Sequence, residues 1–205
     1  MIDTRTRALL LAPASLAAAL SLASCGAEDT SADPAPEPSE QAAVEFNDAD
    51  VTFARTMIPH HEQAVDMARL AESRAGDGVG DLAVEIEAAQ GPEIERLRRM
   101  LDAWGVEPAD DGGHEGMSGM MTEERMTELE QAEGEAFDTL FLEMMIAHHE
   151  GAVEMARDQL SKGVNPEAGA LAQDVVDAQE AEIDRMNEML GQEDSDQEGS
   201  EEGAE

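Results

Sequence analysis

Apolar residues return along most of this chain at alternating steps of three and four, the spacing of one face of an α-helix. One row reads Phe53, Met57, His60, Ala64, Met67 and Ala71, with Ala54, Ile58, His61, Val65 and Ala68 beside it. Arg55, Thr56, Glu62, Gln63, Asp66 and Arg69 fall on the other side, so the segment from about Asp48 to Ser73 is predicted to be an amphipathic helix. The glycine-rich "GDGVGD" is read as its stop. A second helix is predicted over about Asp81–Trp104, ending at Gly105. A loop over 105–121 leads to a long third segment, Thr122 to about Leu160, with a break expected near Gly134. "SKGVNP" ends it, and a fourth helix is predicted from about Pro166, a favoured first-turn residue, to Leu190. Strand signals are nearly absent: there is no Tyr, and Ala, Glu, Met, Leu and Arg dominate.

The pattern is written twice. Met57 aligns with Met145 at an offset of 88 (145 − 57), which also pairs Phe53 with Phe141, His60 with His148 and His61 with His149. After one extra residue, "QGPEIERLRRML" matches "QEAEIDRMNEML". A repeated helical hairpin, about 48–104 and 136–190, buries its apolar stripe most simply against its own copy. The expected fold is all-α: an antiparallel four-helix bundle with approximate internal two-fold symmetry. Pro59 stands where the second copy has Ala147. A proline inside a helix frees a carbonyl and bends the axis, so the copies need not be equivalent.

The ends lie outside this pattern. Arg5 and Arg7 precede an apolar, Ala-rich run that closes in Leu22-Ala23-Ser24-Cys25, and Cys25 is the only cysteine. The expectation is a lipoprotein signal peptide over 1–24, a lipidated Cys25 and an extracytoplasmic, membrane-anchored protein, at the cell surface or in the periplasm. No internal disulfide can form. The Pro-, Ser- and acid-rich stretch over 25–45 reads as a flexible tether. The acidic stretch 191–205 reads as a disordered tail, leaving 46–190 as one domain. The net charge of −36, from 48 acids against 12 Lys and Arg, excludes nucleic acid as a natural partner and favours cations.

Four of five histidines lie in the two aligned motifs "MIPHHEQAVDMA" and "MMIAHHEGAVEMA", on or beside the core face. Symmetry brings both pairs to one middle layer. Buried imidazoles need partners. Gln90 and Glu93 on the second helix, and Gln179 and Glu182 on the fourth, are placed to accept their N–H bonds or to serve as alternative ligands. The layer is therefore either a metal site or a structural polar network. Ferritin-type iron bundles use Glu-x-x-His; here Met57 and Met145 occupy the position three before His60 and His148. Imidazole with thioether suits copper, Cu(I) above all, while zinc and iron fit less well. Candidate metal residues are Met57, His60, His61, Met67, Met145, His148, His149 and Met155. Met100, Met126, Met186 and Met189 read as core filling. The loop adds His114, Met117, Met120 and Met121 among glycines, where no helix core explains the methionines; it is either a copper-catching segment or a plain linker.

These motifs, with "EIERLRRML" and the lipoprotein-like start, make the chain resemble the bacterial domain-of-unknown-function family numbered 305 over essentially all of 46–190. The resemblance implies a secreted or tethered ferritin-like four-helix protein, and for His- and Met-rich members an association with copper binding and resistance. The expected function is copper binding for buffering, delivery or tolerance. No Ser-His-Asp, Cys-His or phosphate-loop signature points to an enzyme. A metal-dependent enzyme of unknown reaction and a helical interaction module with a buried His layer are the alternatives.

Overall fold

The computed structural model describes residues 45–108 and 117–201. The signal peptide, Cys25, nearly all of the tether and His114 lie outside the described residues. The described elements are five helices: α1 (Asp48–Arg74), α2 (Asp77–Trp104), α3 (Glu123–Gln131), α4 (Glu135–Lys162) and α5 (Pro166–Glu201). Local chemistry sets their ends. Asn47 caps α1 by accepting from the Ala49 and Asp50 amides, while the Asp50 carboxylate accepts from Asn47 N, a complete capping box. Gly105 closes α2 in the left-handed conformation (φ 67°). Asn165 Oδ1 accepts from the amides of Glu167 and Ala168, with Pro166 opening the first turn of α5.

Three boundaries differ from expectation. The stop between α1 and α2 shrinks to Ala75-Gly76, and α2 begins at Asp77 rather than Asp81. Val79 and Leu82 are buried there, and their packing outweighs the low helix propensity of Gly78 and Gly80. The break near Gly134 is a full one, with φ 59°, and it makes α3 a separate nine-residue helix. The tail, expected to be disordered from Gly191, continues α5 to Glu201, because no proline follows and Glu and Gln sustain helical dihedrals. Pro59 lies inside α1 and Pro92 inside α2, and neither ends its helix.

The hairpins α1–α2 and α4–α5 pack together chiefly through α1 against α4. The expected antiparallel helical bundle of two repeated hairpins is what forms. Its apolar interior divides into two clusters. One gathers Phe53, Leu97, Leu101, Trp104, Leu171 and Val175; the other gathers Leu82, Ile86, Leu129, Phe137, Phe141 and Leu142. Each fully buried side chain of this size contributes about 2 kcal/mol. The repeats run head to tail. Met57 therefore joins the first cluster beside Ala152 and Ala156, while Met145 joins the second beside Ala64 and Ala68. Between the clusters lies a polar layer at mid-bundle.

Candidate metal centre

The layer is built from α1 and α4, each contributing two adjacent histidines whose directions differ by about 100° around the helix. All four rings have no solvent exposure. The inner member of each pair meets its copy: the His60 and His148 rings lie 3.8 Å apart between centroids, tilted by 37°. The outer members turn toward α2 and α5. His61 Nε2 lies 2.9 Å from Glu93 Oε2, and His149 Nε2 lies 2.6 Å from Glu182 Oε2. Gln90 and Gln179 are buried in the same layer but do not join it: both amide atoms of Gln90 and Oε1 of Gln179 lack a hydrogen-bond partner.

A carboxylate or carbonyl oxygen only accepts, so each ring nitrogen facing one must carry the hydrogen. His61 and His149 therefore present Nε2–H to their glutamates. His60 presents Nε2–H to the Ser118 carbonyl, 3.1 Å away. In the neutral form of each ring the lone pair then sits on Nδ1, and the Nδ1 atoms of His60, His61 and His149 are all buried without a partner. In His148 neither ring nitrogen has one. Orphaned buried acceptors and donors of this kind are uncommon and each is unfavourable by about 1–3 kcal/mol.

Electrostatics keep the central pair neutral. Burial, with the charge that His61 and His149 would carry, lowers His60 to about 3 against a smaller opposing pull from the Ser118 carbonyl. Burial and the other three histidines hold His148 well below its ordinary 6.5. Neutral imidazole is the metal-binding form. The donors present are bare imidazole nitrogens, with thioethers one helical turn from them at Met57 and Met145, both fully buried. The glutamates are already engaged on the N–H side, as outer partners orient ligating histidines. The set fits a soft or borderline ion and offers no hard oxygen cage. Among the described residues, no group of three His, Cys, Asp or Glu side chains is arranged to close on one ion. Methionine or low coordination number would have to complete any site.

The other candidates separate by position. Met67 is wholly buried in the second cluster, and Met155 is partly buried against the first. Met121, expected to lack any core to explain it, packs against the second cluster, because the segment after residue 117 lies on the bundle. Gln63 holds that segment, giving a hydrogen bond to Met121 O (2.9 Å) and accepting one from Met121 N (2.7 Å). Met117 and Met120 are half-buried. The Ser118 carbonyl is a site group that sequence reasoning missed, since a backbone atom 58 positions away leaves no side-chain signal.

No curated protein matches the chain. Among solved structures, "putative secreted protein DUF305" from Streptomyces coelicolor is 30% identical, with 71% of this chain and 93% of that chain covered and a TM-score of 0.67. A DUF305 fragment from Deinococcus radiodurans is 33% identical, covering 71% and 97%, at a TM-score of 0.66. CopM in its Cu(II)-bound form is 31% identical, covering 70% and 96%, at 0.62, and in its Cu(I)-bound form 29% identical, covering 70% and 96%, at 0.61. The model of the domain of unknown function DUF305 matches residues 50–190, and the chain belongs to that family.

Proposed function

We propose that this protein binds copper at the mid-bundle histidine layer, as Cu(I) in preference to zinc or iron, and serves copper buffering, delivery or tolerance outside the cytoplasm. The observation that carries the reading is the three buried, partnerless Nδ1 atoms, whose tautomer is set by acceptors on the opposite side of each ring. The similarity to CopM, whose solved forms hold Cu(I), Cu(II) and silver, supports it. His60, His61, His148 and His149 supply nitrogen, Met57 and Met145 thioether sulfur, and Glu93 and Glu182 orient the outer rings. Met67 and Met155 are further thioether donors about two turns along the same helices. The apolar leader with Cys25 at its end, together with the likeness to a protein described as secreted, supports an extracytoplasmic, lipid-anchored location. Binding rather than turnover is proposed, with the metal ion and the membrane as partners.

Purified protein loaded with Cu(I), Cu(II), Zn(II) or Fe(II) and then desalted is expected to retain copper selectively. The His60→Ala/His148→Ala variant, checked for folding by circular dichroism, is expected to lose at least about tenfold in affinity, or about 1.4 kcal/mol. A second reading, a purely structural histidine layer, draws on there being no three-residue ligand group among the described residues. It predicts that the wild-type protein retains no metal, and that outcome would remove the copper reading.

A further inference from the structure

We infer that the backbone strap Met117–Met121 is the access gate of the histidine layer and that its Ser118 carbonyl is a positioning group for His60. This inference rests on the copper reading. Ser118 is exposed, yet its carbonyl touches Nε2 of a histidine with no exposure. On this face the layer is one residue from solvent.

The strap seats backbone on backbone. Gly119 has φ 78°, and a Cβ there would stand 2.7 Å from Ala147 O and 2.9 Å from His148 O. A Cβ on Gly151 would stand 2.8 Å from the Gly119 Cα and would overlap the Ser118 carbonyl. Only glycine at both positions lets the strap lie this low. Gly151 is the copy of Gln63, and these two unlike residues grip the same strap, one by absence of a side chain and the other by two hydrogen bonds to Met121. One of the positions where the repeats diverge is thus the position at which both copies touch the single strap.

The hold is thin. Apart from the His60 contact and the Gln63 pair, it includes Ser118 Oγ donating to Glu154 Oε2 at 2.7 Å on the exposed side. Hydrogen bonds near the surface exchange with water at little net loss. The strap can therefore lift with Met121 alone leaving its place against the second cluster, while the buried members of both clusters stay packed. Lifting exposes His60 Nε2 and the edge of the His60–His148 pair, and it carries the half-buried thioethers of Met117 and Met120 past them. Seated, the Ser118 carbonyl keeps the hydrogen of His60 on Nε2 and its lone pair on Nδ1.

Full-length wild type, Gln63→Ala and Gly151→Ala are compared in Cu(I) capture from a bicinchoninate complex, with hydrogen exchange at the strap amides measured in parallel. Both variants are expected to exchange faster at residues 117–121, to capture Cu(I) about tenfold faster, and to hold the same amount at equilibrium. Gly151→Ala is also expected to lose the pure Nε2–H signature of His60 in imidazole 15N spectra, which a merely structural strap would not control through the ion. Gln63→Ala leaves the glycine seat intact, so it decides the matter if Gly151→Ala fails to fold. Faster strap exchange with an unchanged capture rate overturns the gate while leaving the copper reading standing. A wild type that retains no Cu(I) overturns both.

Discussion

Replacing Asp50 with alanine is expected to destabilise the protein by about 3 kcal/mol and to lower its melting temperature by roughly 10 °C. Asp50 is the third helical residue of α1, and its carboxylate is wholly buried. It accepts from Asn47 N at 2.8 Å and then reaches the other hairpin. There it accepts from Gln159 Nε2 at 2.5 Å, Val164 N at 3.2 Å and Asn165 N at 3.1 Å. Burial alone would push the carboxyl up; the bonds from Gln159, Asn47, Val164 and Asn165 together outweigh it and hold the group below its ordinary 3.8. Alanine would leave the buried Asn165 amide without its acceptor and would take from Val164 N, at the half-exposed end of the α4–α5 turn, its partner as well. The copy of Asp50, 88 positions on, is Asp138, which accepts from Gly76 N, at 3.0 and 3.1 Å. Burial dominates there and raises the carboxyl, helped by the charge of Glu135. Asp138→Ala is accordingly expected to be the milder change, by at least about 1 kcal/mol. Each copy thus latches the turn of the other. Thermal unfolding followed by circular dichroism measures both, and an Asp50→Ala protein melting within about 2 °C of wild type would contradict the latch.

Acidifying the metal-free protein from about pH 7.5 to 4.5 is expected to remove about 3 kcal/mol of stability through His60 alone. The folded value of about 3 stands below the ordinary 6.5, chiefly through burial. Between those limits the unfolded chain binds a proton that the folded one refuses. Stability from this source is therefore full above pH 6.5 and falls progressively as pH drops toward 3. His148 acts in the same direction. The carboxylates that face the layer are Glu93 and Glu182, bonded to the outer histidines. The loss at Asp50 begins only below its ordinary 3.8, since its folded value is lower still. Protonation of the acidic surface, and of Asp138 with its raised carboxyl, works the other way, so the share of the histidines is read as the difference between wild type and a variant lacking the central pair. In denaturant unfolding from about pH 7.5 to 4.5, wild type is expected to lose more stability than His60→Gln/His148→Gln, by about 3 kcal/mol. Equal slopes in the two proteins would show that the central pair does not govern the response.

The parts of this architecture that are local repeat patterns were legible in one dimension. Helical periodicity put His60 and His148 on core faces, and the offset of 88 set them at one level, where their rings meet at 3.8 Å. The row on the second helix likewise placed Glu93 beside the layer. The same offset carries a signal that passed unread: Asp50 and Asp138 each stand three residues before a buried Phe, in both copies. A carboxylate repeated so close to a core position marks a cross-copy contact. Gln90 lies buried on the same face, and its neighbour one turn along, Glu93, is the residue that meets the His61 ring.

By itself the sequence determined the helices, their pairing into two hairpins, the polar layer and the residue types in it. These follow from spacing along one chain, and spacing is conserved when a helix forms. Only the tertiary structure decided which ring nitrogens are free, which turn each Asp50 or Asp138 closes, and where Gly119 lies on Gly151. Those depend on backbone atoms brought together from distant positions, and a backbone carbonyl or amide is the same in every residue. No pattern of side chains announces it until the chain has folded.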